Sequence, residues 1–167
     1  MKNIIKIIIW AALLYLLESA FVNIIDIRGF VPELLTAFAA AYAARERRLS
    51  SAAYLMLACG LMTGSMVGKS FPISVLSTAA AGTTMYILRE RIRFVPMWIK
   101  NAAVMIILSF LTGAAEYFAA RGFADPGAMP GEVLPYTVYT AVAAVIIYPL
   151  VKRTLFGGKD MPKRFAI

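Results

Sequence analysis

The chain has 167 residues, of which 61% are hydrophobic and only 16% are charged, and its mean hydropathy is +0.76. Soluble domains carry about a quarter charged residues, so this composition excludes an ordinary soluble domain and predicts a membrane protein. The net charge of +8 does not indicate nucleic-acid binding, because basic residues at the ends of membrane spans account for nearly all of it.

Apolar stretches long enough to cross a hydrocarbon core of about 30 Å recur along the whole chain. Charges or prolines bound each of them, which predicts an all-α polytopic protein, a single domain built as a bundle of six transmembrane helices. The expected spans cover residues 7–25, 31–44, 51–68, 71–88, 95–119 and 133–151, and a basic tail follows over residues 152–167.

Two of these spans have features that predict their neighbours. The second begins at Pro32, which suits the first turn of a helix, and it is short and rich in alanine, so we expect other helices to surround it. The third and fourth spans are joined by a very tight turn containing Lys69 and Ser70, which predicts a helical hairpin. In the sixth span, Pro149 should bend the helix near its cytoplasmic end.

The distribution of basic residues predicts the orientation of the bundle, because Lys and Arg near the ends of spans resist translocation. With the N-terminus inside, all of the 17 Lys and Arg residues except Arg28, Lys69 and Arg121 lie on the cytoplasmic side. An even number of spans also keeps the basic tail inside. Both termini are therefore expected in the cytoplasm.

The chain contains few residues of the kinds that carry out catalysis. The chain contains no histidine, so it supplies no His general base and no Ser-His or Cys-His nucleophile. Cys59 is the only cysteine, and the nine acidic residues are scattered without paired aspartates at metal-binding spacing. We therefore expect no enzyme, no cofactor and no metal site.

Three charged residues lie near or within the outer halves of the spans: Glu18, Lys69 and Glu116. They form either a small polar site that opens outward, with Lys69 facing the carboxylates, or three separate side chains that each reach the headgroups. We favour the second interpretation for Glu116, which is close to its helix end. Glu18 lies roughly 10 Å deep, so both interpretations remain open for it.

Two clusters of arginines flank the predicted cytoplasmic loops: Arg45, Arg47, Arg48, Arg89, Arg91 and Arg93. They could bind a cytoplasmic partner or anionic lipid at about 1 kcal/mol per basic residue. The interpretation that we favour is that they only set the topology.

Small residues recur at intervals of four along the third and fourth spans: Gly60, Gly64 and Gly68, then Ser70, Ser74, Thr78 and Gly82. In lipid, no hydrophobic force brings helices together, and small residues at this spacing permit close backbone contact. A ligand path would show more polar donors and acceptors. We therefore expect these residues to pack on each other or on the alanine-rich second helix.

Three local motifs carry a resemblance to a known family: "GFVPELL" over residues 29–35, which contains Pro32 and Glu33, "GLMTGSMVG" over residues 60–68, and "YPLVKR" over residues 148–153, which begins with Tyr148 and Pro149. In these motifs, its length, its six predicted spans and its basic tail, the chain resembles the rod shape-determining protein MreD family of bacterial membrane proteins. One departure is Gly68, which stands where that family often has an aspartate.

The resemblance implies a non-catalytic scaffold of the cell-elongation machinery in the bacterial cytoplasmic membrane. Such a scaffold binds the bitopic protein MreC and links MreB filaments inside to a peptidoglycan polymerase and transpeptidase outside. The alternative is the substrate-binding membrane component of an energy-coupling-factor vitamin transporter, which has a similar size and number of spans. Against it, the first helix has Ala11 and Ala12 but lacks the alanine-x-x-x-alanine pair by which those components dock.

Overall fold

The computed structural model of the chain describes residues 2–24, 31–66, 70–91, 94–123 and 125–157. Within these ranges it has six helices: α1 (Lys2–Ile24), α2 (Leu34–Ala43), α3 (Leu49–Gly64), α4 (Phe71–Arg91), α5 (Met97–Arg121) and α6 (Met129–Phe156). The all-α class is confirmed. Helices α4, α5 and α6 are long and apolar enough to cross a membrane, whereas α2 and α3 are apolar but shorter. These helices indicate a membrane protein.

The helix bounds differ from the predicted spans where local chemistry decides the ends. Helix α3 ends at Gly64, and Ser65 follows it as the C-cap, with its hydroxyl donating to the carbonyl of Met62 at 2.7 Å. The next described helix, α4, begins at Phe71, and the predicted tight turn falls largely on residues 67–69, which the structure does not describe. Gly68 and Lys69 lie outside the described residues, as does the tail beyond Gly157.

Helix α2 lies at the centre of the bundle. All ten of its residues are buried, and it contacts all five other helices. Its alanines let the neighbouring helices approach closely, which confirms the expectation that other helices surround this short span. At about 1.5 Å per residue the helix is roughly 15 Å long, about half the thickness of a hydrocarbon core.

Polar side chains in the interior hydrogen-bond between helices, since a buried polar group without a partner is costly in a medium without water. These bonds join Thr36 to Thr78 (3.0 Å), Thr112 to Ser77 (2.7 Å) and Asn101 to the carbonyl of Ala144 (3.2 Å). They tie α2 to α4, α4 to α5, and α5 to α6.

Candidate functional site

The most polar part of the interior surrounds the start of α2. We call it the α2 N-terminal cluster, and it consists of Glu18, Glu33, Glu116, Tyr136 and Thr140. Glu18, Glu33 and Thr140 have no exposed surface, Tyr136 is 2% exposed, and Glu116 is half-buried. The cluster therefore brings together side chains from α1, α5 and α6 and the residue before α2.

The start of α2 explains why carboxylates lie here. The first N–H groups of any helix lack partners within the helix, and its N-terminus carries a partial positive charge. The Glu18 carboxylate accepts a hydrogen bond from the Leu35 N–H at 3.0 Å, and Thr140 Oγ1 accepts one from the Glu33 N–H at 3.3 Å. Side chains from α1 and α6 thus take the place of water at this helix end.

Tyr136 connects the acidic side chains of the cluster. Its hydroxyl faces the Glu33 carboxylate, and the carboxylates of Glu18 and Glu116 lie close enough to interact with it electrostatically. The buried thiol of Cys59 on α3 also lies within electrostatic reach of Glu18. The cluster thus joins α1, α5 and α6 around the start of α2, and Cys59 of α3 lies beside it.

The three charges predicted near the outer surface have different outcomes. Glu18 accepts a hydrogen bond from the start of α2 inside the protein, and one carboxylate oxygen of the half-buried Glu116 lies in the interior. Lys69, the third, lies outside the described residues.

The sequence interpretation missed two members of the cluster, Tyr136 and Thr140. They are four residues apart on α6, and this spacing places both on one face of a helix. A tyrosine and a threonine that share a face inside an apolar span were a signal that this face meets polar groups.

The glycines of α3 lie where the helix touches α4. A Cβ added at Gly60 would lie 2.9 Å from the Cα of Val75, and one added at Gly64 would lie 3.0 Å from the Cα of Phe71. Real Cβ atoms do not approach backbone this closely, so the two helices could not keep their separation with larger residues. These two glycines are helix contacts, with no opening between the helices.

The small residues of α4 face two different helices. A Cβ at Gly82 would lie 2.6 Å from the side chain of Met56 on α3. Thr78 hydrogen-bonds to Thr36 of α2, and Ser74 is fully buried. Helix α4 therefore uses small residues against both α3 and α2.

The predicted basic clusters divide into two kinds of arginine. Arg45 is buried with its guanidinium 5.7 Å from the ring centre of Phe156, and Arg89 donates to the carbonyl of Glu46. The remaining described arginines of the clusters are exposed: Arg47, Arg48 and Arg91. Arg93 lies outside the described residues.

In the last motif, Tyr148 is buried and Pro149 is exposed within α6. The predicted bend at Pro149 stays a prediction. The helix continues to Phe156 and ends at Gly157, whose φ of 66° is the left-handed conformation typical of a helix end.

No family model, no curated protein and no solved structure matches the chain. Its chemistry therefore has to be inferred from the site itself. Among the residues that the structure describes, no three Cys, Asp or Glu side chains are grouped so that they could hold a metal ion. Two open, shallow grooves lie on the described surface, one on α1 and one on α4.

Proposed function

We propose that the chain is a non-catalytic scaffold of the bacterial cell-elongation complex, related to MreD, with six membrane-crossing segments. The proposal is supported by the positions of the motifs that resemble that family. Pro32 and Glu33 lead into the buried start of α2, and Gly60 and Gly64 touch the backbone of α4. Tyr148 is buried in α6. These residues build contacts between helices, as expected of a scaffold, and none of them lines a ligand cavity.

The contacts at one end of the bundle support a cytoplasmic location for both termini. Lys6 at the start of α1 donates to the carbonyl of Thr154 near the end of α6, and Arg45 packs on Phe156. The beginning of α1, the loop after α2 and the end of α6 therefore meet at the basic end. Arg121, which belongs to the less basic side, closes α5 at its other end. This distribution follows the positive-inside rule.

A partner in the membrane would be recognised by an outward-facing helix surface. Helix α1 carries a shallow apolar groove lined by Ile9, Ala12, Leu13, Leu16 and Leu17. In lipid, a helix gains by entering such a groove through van der Waals contact, and small residues such as Ala12 allow it to approach closely. The proposed occupant is the single transmembrane helix of a MreC-like protein, which in turn would connect the scaffold with MreB filaments and peptidoglycan synthases.

The transporter alternative predicts a ligand-sized cavity in the outer half. In the described part of the chain, that region holds the α2 N-terminal cluster, whose side chains interact with one another and with the start of α2. No observation therefore favours a substrate-binding component, and it is kept as an outcome of the test.

The test is purification of the tagged chain from its native membrane in mild detergent, with co-eluting proteins identified by mass spectrometry. Recovery of a MreC-like bitopic protein with peptidoglycan synthases is expected. Recovery of a transmembrane coupling protein with paired ATPases would contradict the scaffold and support the transporter.

A pair of variants tests the α1 groove separately. Ala12→Trp fills the groove, whereas Val142→Trp adds the same side chain to an exposed position on α6. Most of the bitopic partner should be lost with Ala12→Trp and kept with Val142→Trp. If both variants retain the partner, α1 is not the contact, although the scaffold proposal stands.

A further inference from the structure

The arginines at the basic end of the bundle differ in what surrounds them. Arg45 is buried and the side chain of Arg89 is only 7% exposed, and each packs on an aromatic ring, with the Arg89 guanidinium 4.0 Å from the ring centre of Tyr86. The side chains of Arg47, Arg48 and Arg91 are exposed, and no described residue forms an ion pair or a side-chain hydrogen bond with them. The side chains of this second group are therefore accessible to a ligand outside the chain.

The loop that carries two of these arginines is held in place by its own hydrogen bonds. The Glu46 carboxylate accepts one from the Tyr42 hydroxyl at 2.7 Å and one from the Arg48 N–H at 3.0 Å. The Tyr86 hydroxyl of α4 donates to the carbonyl of Arg47 at 3.2 Å. These bonds fix the backbone and occupy the loop's carboxylate, so Arg47 and Arg48 point to solvent from a preorganised loop.

Large apolar side chains lie directly beside the exposed charges. Leu49, which follows Arg48, is 55% exposed, and Ile87, one turn before Arg91, is 51% exposed. Ile87 and Arg91 also line the same shallow groove on α4, together with Tyr86, the residue that holds the loop. The surface therefore changes from cationic to apolar within one helical turn.

We propose that Arg47, Arg48 and Arg91 bind the phosphate of an anionic phospholipid, with its acyl chains lying against Leu49 and Ile87. Guanidinium groups donate paired hydrogen bonds to phosphate oxygens, and basic pockets beside the cytoplasmic ends of transmembrane helices suit lipid headgroups. A soluble acidic partner would match the charges but would leave the adjoining apolar surface unexplained. We call these three arginines the headgroup patch.

The negative charge of Glu90, which lines the same groove, does not oppose this assignment. Its carboxylate is 3.3 Å from the Arg89 guanidinium and forms an ion pair with it. The charge facing a headgroup is therefore set mainly by the three exposed arginines.

The test uses the full-length chain in a neutral detergent, with dioleoyl phosphatidylglycerol or dioleoyl phosphatidylcholine added in steps. Native mass spectrometry counts the bound lipids and gives an apparent Kd for each. Wild type should bind phosphatidylglycerol more tightly. The Arg47→Gln, Arg48→Gln, Arg91→Gln triple variant should weaken that binding by about fivefold per arginine, roughly a hundredfold in all.

Arg153→Gln is the matched control, because Arg153 is an exposed arginine at the same end of the bundle but on α6. It should change the apparent Kd by less than about twofold, well below the effect of one patch arginine. Thermal unfolding without added lipid checks folding, and the single Arg91→Gln variant replaces the triple variant if the latter unfolds early.

Three results would overturn the assignment. Equal affinity of the wild type for both lipids would contradict binding of anionic lipid and would instead favour an acidic protein segment as the partner of the headgroup patch. The patch variants could retain wild-type affinity for phosphatidylglycerol. Arg153→Gln could weaken binding as much as a patch substitution does, which would show a general effect of net charge.

Discussion

Two substitutions of Glu18 should separate the contribution of its charge to stability from that of its hydrogen-bond acceptor. The side chain is fully buried, and its carboxylate accepts the Leu35 N–H at 3.0 Å beside the positive end of α2. Glu18→Gln keeps an acceptor of the same shape but removes the charge. Glu18→Leu removes both the charge and the acceptor.

The size of each step follows from these contacts. Loss of the charge weakens a hydrogen bond to a helix N-terminus, which is worth about 1–2 kcal/mol in a buried setting. Loss of the acceptor leaves the Leu35 N–H buried without its partner, which costs a further 1–3 kcal/mol or so. We therefore expect a free energy of unfolding lower by about 1–2 kcal/mol for glutamine and by about 2–5 kcal/mol for leucine.

The assay is equilibrium unfolding in mixed micelles followed by circular dichroism, with amide hydrogen exchange at the start of α2 as a local readout. Exchange at Leu35 should accelerate in the leucine variant. Leu16→Ala is the control, since Leu16 lies on the same helix but is 67% exposed, and its effect should stay below about 0.5 kcal/mol. Equal stability of the leucine variant and wild type, or equal losses for glutamine and leucine, would refute the reasoning.

The other predictions use the same unfolding assay. Gly60→Ala should cost about 1–3 kcal/mol, because the new methyl group would lie 2.9 Å from the Cα of Val75. Gly131→Ala, on α6 with nothing within 4 Å, should be neutral or stabilising by up to about 1 kcal/mol, and equal losses at both glycines would contradict the contact. Tyr136→Phe should lower the free energy of unfolding by about 1–2 kcal/mol, since the Glu33 carboxylate loses the hydroxyl it faces. An unchanged unfolding midpoint would count against the interaction between Tyr136 and Glu33. Asn101→Leu should cost about 0.5–1.7 kcal/mol through the lost bond to α6, and a gain in stability would contradict that bond.

The position of α2 and the contacts of α3 could be predicted from the sequence because they depend on local composition. A short, alanine-rich span cannot face lipid well, and the structure confirms that it is surrounded. Glycines at intervals of four produce a flat surface on any helix, and Gly60 and Gly64 lie against α4. The inference on α2 needs only the length and composition of one span, and the inference on α3 needs only the spacing of glycines within one helix.

The α2 N-terminal cluster could not be predicted in this way. The hydrogen bond between Glu33 and Thr140 joins residues that are 107 positions apart, and no spacing within a helix contains that pairing. Glu33 was predicted to be a helix-packing or partner-interface residue through its motif, whereas the structure adds a polar environment from α1 and α6. The partners of a buried carboxylate depend on how the helices are arranged around it.

Counting arginines was also insufficient to assign their roles. Charge numbers near span ends predict orientation, but Arg45 and Arg47 are two residues apart and one is buried while the other is exposed. The difference arises because the loop turns Arg45 toward Phe156 and holds the carbonyl of Arg47 against α4. Only tertiary contacts distinguish an arginine that packs inside the fold from one that stays exposed.

The shortness of α2 gives the buried Glu18 carboxylate a structural role. In the proposed topology its C-terminal end lies at the cytoplasmic side, so a helix of about 15 Å begins near the middle of a core of about 30 Å. Its first N–H groups then lie where water cannot reach them, and each would cost several kcal/mol without a partner. Glu18 supplies that partner from α1, on the residue directly after Leu17 of the groove proposed for the MreC-like helix. A partner that shifts α1 would therefore strain the hydrogen bond between the Leu35 N–H and Glu18. Binding at the surface would then change the stability of α2 at the centre of the bundle.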